Sequence, residues 1–459
     1  MSASGDGALW SGRFSEPPAS EAAALGRSIG FDRRLLEQDV HASVAHVASL
    51  RDAGLLSEDE ARTLTDTLRE VGAAIADPDL AVDPRDEDVH SVVERAVTDR
   101  LGELGARLHA GRSRNDLVVT DLRLWLLAAG RRIDALTRGL ARALVERARE
   151  HTDTVMPGTT HGRPAQVVTL GHHLCAHAWA LTRDLERISD WSSRTATSPL
   201  GAGALATSTL GLDPDRTAQR LGFEHAFENS IDAVSDRDFV QGWIAAAAIL
   251  ATHASRIAAD LVRWTDPTVG WAELDEAYAT GSSMMPQKRN PDTAELARAK
   301  AARLGADFAA LTAIVQGLPL GYHRDLQEDK EPSFDAADTL ELVLPALTGA
   351  VRTLRFDVES MRAACDDEGL YATDLAEALV AAGIPFREAH RRTGELLRRL
   401  EDDGSLRDLS ADVWIAFGVE HGPALLDPER SVAARSGPGG PSPASVKAQI
   451  DALDAALIV

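Results

Sequence analysis

Thr280–Glu295 reads TGSSMMPQKRNPDTAE, a combination that suits neither a core nor an ordinary solvent loop. Two serines, two adjacent methionines, two prolines and a Lys-Arg pair crowd around an Asn-Pro step. Asn290 as N-cap, Pro291 at the first helical position and acids at Asp292 and Glu295 in the first turn predict a helix start. The ten residues before it then form a loop that brings a hydroxyl and the Lys288 ammonium to the positive end of that helix. Such an end favours negative charge in a ligand or intermediate. An incidental cap on a surface loop is the plainer reading, but solvent loops seldom keep paired methionines.

Outward from this stretch the sequence is mainly α. Residues 292–318 and 238–265 run without proline, interrupted by Gly305 and Gly242. At ~1.5 Å per residue each segment spans about 40 Å, a length that buries one face only by packing side by side, within or between chains. Leu136, Leu140, Leu144 and Val145 form one apolar stripe, and Leu170, Leu174, Leu181, Leu185 and Ile188 another. Shorter helical units flank this region, with an acidic proline-containing loop (ADPDLAVDPRDED) on one side and a Gly/Pro excursion (SGPGGPSP) on the other. The expected organisation is three domains: an N-terminal helical domain over 1–108, a central long-helix bundle over 109–357 and a C-terminal helical domain over 358–459.

Composition narrows the functional classes. Net charge is −23, which repels nucleic-acid phosphates. Two cysteines, Cys175 and Cys365, give no disulfide framework and fit a reducing cytoplasm. The opening MSASGDGALWSGRF lacks the basic and apolar regions of a signal peptide. The apolar run WIAAAAILATHA is expected to be too short and alanine-rich to span a bilayer. Only four of 48 basic residues are lysine, and two of those, Lys288 and Lys330, fall in motif windows. A compact ammonium is not interchangeable with a planar guanidinium where a point charge is needed.

Four further clusters carry candidate chemistry. HAGRSRNDLVVTD places Arg112, Ser113, Arg114 and Asn115 together, the donor set that a carboxylate needs. MPGTTHGRPAQ sets Thr160 and His161 among Gly and Pro turns, a better setting for an acid/base histidine than an apolar helix face. EDVHSVVE contributes Asp88 and His90, and GYHRDLQEDKE contributes Tyr322, Gln327 and Lys330.

Together these fragments resemble the fumarase/aspartase superfamily, and most closely its argininosuccinate lyase branch. The GSSxMPxKxNP pattern marks the superfamily. GRSRND, SPLGAGALA, NSIDAVSDRDF, YHRDLQEDKEP and ATDLAEALVAAGIPFREAH resemble the branch, from LWSGRF near the start to LDPERSVA near Arg430. The resemblance implies a three-domain helical fold assembled as a homotetramer, with each active site shared between subunits and no cofactor or metal. It implies anti elimination of a small-molecule substrate, argininosuccinate, to fumarate and arginine, the last step of arginine biosynthesis. Ser282 is implied as the base, His161 as the acid-side residue with Glu295 as its carboxylate partner, and Lys288 and Asn290 as stabilisers of the carbanion. Ser113, Arg114, Asn115 and Thr160 match positions that hold the succinyl carboxylates; Ser28, Tyr322, Gln327 and Lys330 match those for the arginine half.

The chain departs from the branch at Leu117, where glutamine is usual, at Gly162-Arg163 after the histidine, and at Val167, where proline is usual. These departures keep open a paralogue releasing fumarate from another N-substituted aspartate. Persistence of the fold as a bulk structural protein is a further reading, opposed by the intact Ser282, His161 and Lys288. GAGALA at 201–206 fits a dinucleotide-binding pattern, but no βαβ alternation surrounds it. His173 and His177 have the i, i+4 spacing of a metal pair; without an evident third ligand they read as satisfied helix histidines.

Overall fold

The computed structural model describes residues 18–77, 83 and 86–458. The LWSGRF opening and the centre of the acidic 76–88 loop lie outside the described residues.

Helices dominate. After short helical segments at Ser20–Gly26 and Ile29–Asp32 come α1 (Leu36–Asp52), α2 (Glu58–Ile75) and α3 (Val89–Leu101). A capping box starts α2: Ser57 Oγ accepts the Glu60 amide while the Glu60 carboxylate accepts the Ser57 amide. Five long helices follow: α4 (Arg114–Glu150), α5 (Leu170–Thr195), α6 (Asp238–Trp264), α7 (Asp292–Val315) and α8 (Lys330–Thr353). The longest, α4, runs 37 residues; both long segments expected from the sequence form helices, ending within a few residues of their expected limits. Toward the C-terminus come α9 (Ala372–Ala381), α10 (Phe386–Asp403) and α11 (Pro443–Ala456).

The chain clusters into two compact units, each made of three stretches. One comprises 1–133, 187–248 and 303–339, the other 134–186, 249–302 and 340–459. In the first unit the long helices meet around tryptophan. Trp191 donates from Nε1 to the Phe239 carbonyl at 2.6 Å, and its ring meets that of Trp243 in a tilted contact at 5.1 Å. A Cβ on Gly130 would stand 2.5 Å from the Trp191 ring, and one on Gly242 would stand 3.0 Å from it. Both glycines thus make room for the indole where α4 and α6 pass α5.

In the second unit α6 buries Leu250, Ala254, Ile257, Ala258 and Leu261 along one stripe. The apolar run judged too short for a bilayer lies in this 27-residue helix, which has the length and hydropathy of a membrane span; half of its most apolar window is buried inside the fold, as in a core helix. The same unit contains the one element longer than two residues that is not helical among those described: β1 (Val155–Thr160) pairs antiparallel with β2 (Arg163–Thr169), Thr160 opposite Arg163. Val155 and Val167 pack into a cluster with Cys365, Tyr371, Leu375 and Trp414, which fixes the hairpin to the C-terminal helices.

Candidate active site

The GSS loop leaves the short pairing of Thr280–Gly281 with Arg289–Asn290 and enters α7. Asn290 lies in that pairing rather than at the N-cap, and the first intrahelical amides, of Ala294 and Glu295, donate to Pro291 O at 2.9 and 3.0 Å. The helix start is therefore one residue later than expected. Thr280 Oγ1 donates to the Asp292 carboxylate and closes the base of the loop. Between these anchors Ser282 Oγ accepts the backbone N–H of Met285 at 3.0 Å and of Met284 at 3.3 Å. Two amides aimed at one hydroxyl oxygen stabilise negative charge on it more than they stabilise the neutral group. Met284 is 87% exposed, and the Lys288 side chain is exposed as well. The methionines thus belong to a solvent-facing segment whose backbone holds the serine.

His161 sits at the tip of the β1–β2 hairpin, not in an irregular loop. Its φ is 54° and that of Gly162 is 73°. Two successive positive φ values make the two-residue turn whose twist matches paired strands, and glycine is the residue that enters it without strain. Gly162 is thus accounted for by backbone geometry. Thr160, His161 and Arg163 are all exposed at this tip. Val167 is fully buried in the hairpin's core cluster, so an apolar side chain there seats the hairpin. Leu117, likewise buried, packs with Ala42, Ala45, Leu200 and Phe223. Glu295 is exposed on the first turn of α7, and among the described residues no hydrogen bond joins it to His161.

In the first unit the start of α4 is held by a carboxylate that the sequence reading passed over. Asp116 is fully buried and accepts N–H groups from Ser113 at 2.9 Å, Gly201 at 3.0 Å and Gly203 at 2.8 Å. The Gly-rich turn therefore cradles an acid of its own chain. Burial raises the Asp116 carboxyl to about 6 even against these three donors. Around this anchor, Ser113 Oγ accepts the Asn115 amide at 3.3 Å, and Asn115 Nδ2 donates to Ala204 O at 3.1 Å. Arg114 pairs with Glu87, with Asp88 at 3.2 Å, and donates to Ser91 Oγ at 3.2 Å.

Ser28, Asp88 and His90 gather in the same unit. Ser28 Oγ donates to Asp32 Oδ2 at 2.5 Å, and Asp32 Oδ1 accepts the Val89 amide at 3.1 Å. Asp88 caps α3, accepting Ser91 N at 2.8 Å. Burial raises the Asp88 carboxyl, but the charges of His90 and Arg114 outweigh it and leave the group below its ordinary value. His90 Nδ1 lies 2.6 Å from Asp39 and 3.3 Å from Asp121, all three buried. Burial disfavours the imidazolium; the Asp39 hydrogen bond and the nearby acids prevail, and its pKa is raised. Asp121 is held well above the carboxylate range, first by burial and then by the neighbouring Asp39 charge.

Tyr322 and Gln327 are half-buried, whereas Lys330 is buried, its Nζ donating to Asp329 Oδ1 at 2.9 Å. Asp329 also accepts Arg237 Nε in a pair with no exposed surface. The supporting residues Asp32, Asp39, Asp116, Asp121, Arg237 and Asp329 were not singled out from sequence. They share only polarity, several of them inside strongly polar stretches such as RSRND, SDRDF and QEDKE, and polarity does not say which way a side chain points. The chain thus presents the serine loop, Lys288, Glu295 and the histidine hairpin in one unit, and the Ser28, Asp88, GRSRND and QEDKE groups in the other.

Comparison with known proteins agrees with this content. Residues 12–305 match the lyase family and residues 369–433 match the argininosuccinate lyase C-terminal family. The chain is 48% identical over 449 residues to the argininosuccinate lyase of Frankia casuarinae, covering 97% of each. It is 47% identical over 446 residues to that of Roseiflexus sp., covering 96% of this chain and 98% of the relative. Among solved structures it is similar to EDDS lyase in complex with formate, at 30% identity and a TM-score of 0.84, over 95% of this chain and 88% of that one. A 3-carboxy-cis,cis-muconate lactonizing enzyme from Pseudomonas putida shares the fold, at 21% identity and a TM-score of 0.75, over 95% and 98%. With both family regions, near-full-length identity and the GSS loop at the head of a long helix, the chain belongs to the argininosuccinate lyase family of the fumarase/aspartase superfamily.

Proposed function

We propose that the protein is a carbon–nitrogen lyase that cleaves argininosuccinate to fumarate and L-arginine, as the last step of arginine biosynthesis in the cytoplasm. The observation that carries the mechanism is the pair of backbone amides on Ser282 Oγ. Those donors lower the cost of the serine alkoxide, which a free hydroxyl could not support near neutral pH. Ser282 takes the proton from the succinyl carbon next to a carboxylate, and the electron pair moves into that carboxylate as an aci-dianion. Lys288 and the N-terminus of α7 are the positive groups nearest in sequence to that charge, with Asn290 as a hydrogen-bond donor. Collapse of the dianion forms the C=C bond and breaks the C–N bond. The departing guanidino nitrogen then receives a proton from the His161 side, directly or through water, with Glu295 completing the relay.

Ser113, Arg114, Asn115 and Thr160 are the proposed carboxylate binders; Arg114 would exchange one of its present acidic partners for substrate. Ser28, Tyr322, Gln327 and Lys330 are the proposed lining of the arginine half, and Asp88 and His90 are further proposed substrate-binding residues. We propose a homotetramer with active sites shared between subunits, no cofactor, and a three-part division at 108 and 357 of the polypeptide. A second reading is favoured by one observation, the 30% identity to EDDS lyase: release of fumarate from a different N-substituted aspartate.

Fumarate release followed by ultraviolet absorbance decides between them. Argininosuccinate should be cleaved by the wild type and, in a Ser282→Ala variant, at least ~100-fold more slowly, the scale of a lost general base. A folded wild type that ignores argininosuccinate but releases fumarate from another N-substituted aspartate would favour the second reading.

A further inference from the structure

On α5, His173 and His177 stand one turn apart and share a face. Asp260 approaches from α6, supplying the third group whose absence from the sequence reading made the histidines look merely satisfied. His173 Nε2 lies 2.6 Å and His177 Nε2 2.8 Å from the same oxygen, Asp260 Oδ2. The three donor atoms all fall within 4.8 Å of one another. We propose that His173, His177 and Asp260 are a binding site for a divalent transition-metal ion, with zinc as the type ion, that braces α5 to α6.

The donor set is the first argument. Two imidazole nitrogens and one carboxylate oxygen are borderline ligands that select zinc and its first-row neighbours over magnesium or calcium. Geometry is the second. At metal–ligand lengths of ~2.0–2.2 Å, tetrahedral ligand atoms stand roughly 3.3 Å apart. The two present hydrogen-bonded spacings, 2.6 and 2.8 Å, need to open by only about 0.5–0.7 Å, within reach of small side-chain rotations. Access is the third. The side chains of His173, His177 and Asp260 are 32%, 14% and 26% exposed, so an ion can enter and water can complete its coordination. The supports on either side are rigid: Leu174, Ile257, Leu261 and Trp264 are buried, and the Trp264 ring lies 5.2 Å from the His173 ring in an edge contact. The nearby cation Arg256 opposes an incoming ion, and the Asp260 carboxylate offsets it. None of these residues belongs to the lyase groups described above, and the inference stands apart from the reaction proposed for them.

The test uses tag-free, full-length protein freed of metal by chelation and titrated with Zn²⁺ alone. Wild type should retain one ion per chain and melt at a higher temperature with it; His173→Gln and Asp260→Asn should weaken binding at least ~10-fold. Co²⁺ added to wild type should give the intense visible absorption of a low-coordinate site, a readout that survives if either variant misfolds. No retained zinc in the wild type, the pale spectrum of a fully hydrated cobalt ion, or unchanged binding in both folded variants would each overturn the proposal. The triad would then be a hydrogen-bonded clasp and nothing more.

Discussion

His46 shows how a single buried group can set acid sensitivity. It lies on α1, buried, with Nε2 3.0 Å from the Ala110 carbonyl, a geometry in which the neutral ring donates. Burial first, and the Arg112 charge second, lower its pKa to about 3. In the unfolded chain the imidazole titrates near ~6.5, so the unfolded state binds a proton that the folded state refuses throughout the interval between. The contribution of His46 is therefore fully present above pH 6.5 and drains away as pH falls toward 3, by roughly a few kcal/mol in total. Urea unfolding at stepped pH should show this slope, and His46→Gln, which cannot titrate, should flatten it. Asp116 makes a different demand, because its carboxylate receives three amides from two loops. In Asp116→Asn one of those amides faces an NH₂ group, and stability should drop by about 1–3 kcal/mol, read as a lower urea midpoint. The sequence pattern made Ser113, Arg114 and Asn115 legible as a polar cluster but not Asp116. Two of its three partners, Gly201 and Gly203, lie more than eighty residues on, and polarity alone does not distinguish a carboxylate turned inward from one turned to water.

At the scale of elements, helices follow from periodicity and the hairpin does not. The α6 and α7 segments were legible because an apolar stripe without proline has few alternatives. In 155–169, Pro157, Gly158, Gly162 and Pro164 read as loop punctuation, yet the buried Val155 and Val167 hold two paired strands. The same turn chemistry then explains the Gly162 departure better than any change of substrate does. Replacing Gly162 by leucine at φ 73° should cost about 1–2 kcal/mol of turn strain. That strain would relax by moving His161, so kcat should fall while far-ultraviolet circular dichroism stays unchanged. An unaltered kcat would remove the hairpin tip from the chemistry. Gly130 tests helix packing in the same way. A methyl group there would stand 2.5 Å from the Trp191 ring, and Gly130→Ala should lower stability by about 1–3 kcal/mol despite the better helix propensity of alanine. A neutral or raised melting temperature would mean that the indole can shift aside.

For the molecule as a whole, the long helices carry apolar side chains that a single chain leaves open. Leu296 on α7 is 59% exposed and Leu342 on α8 is 64% exposed, with Phe308 and Ile249 also on the surface. Helical faces of this kind mark association surfaces, which is how the proposed tetramer enters the physics of the fold. Sharing of active sites between subunits is proposed from resemblance alone, since composition and periodicity carry no information about which chain completes a site. It has a sharp consequence. Ser282→Ala and His161→Asn each remove one essential group, and neither homotetramer should release fumarate at a useful rate. Suppose the two variants are mixed in equal amounts, reversibly dissociated and reassociated. If serine and histidine in one site come from different subunits, random assembly gives a site both intact groups with a probability of about one quarter. Fumarate release should then recover to roughly 25% of the wild-type rate. If one chain supplies both groups, no mixture contains an intact site and activity stays at the level of the single variants. Native mass measured on the same samples separates the outcomes: recovery in a tetramer establishes shared sites, and inactivity in a properly mixed tetramer confines Ser282 and His161 to one subunit.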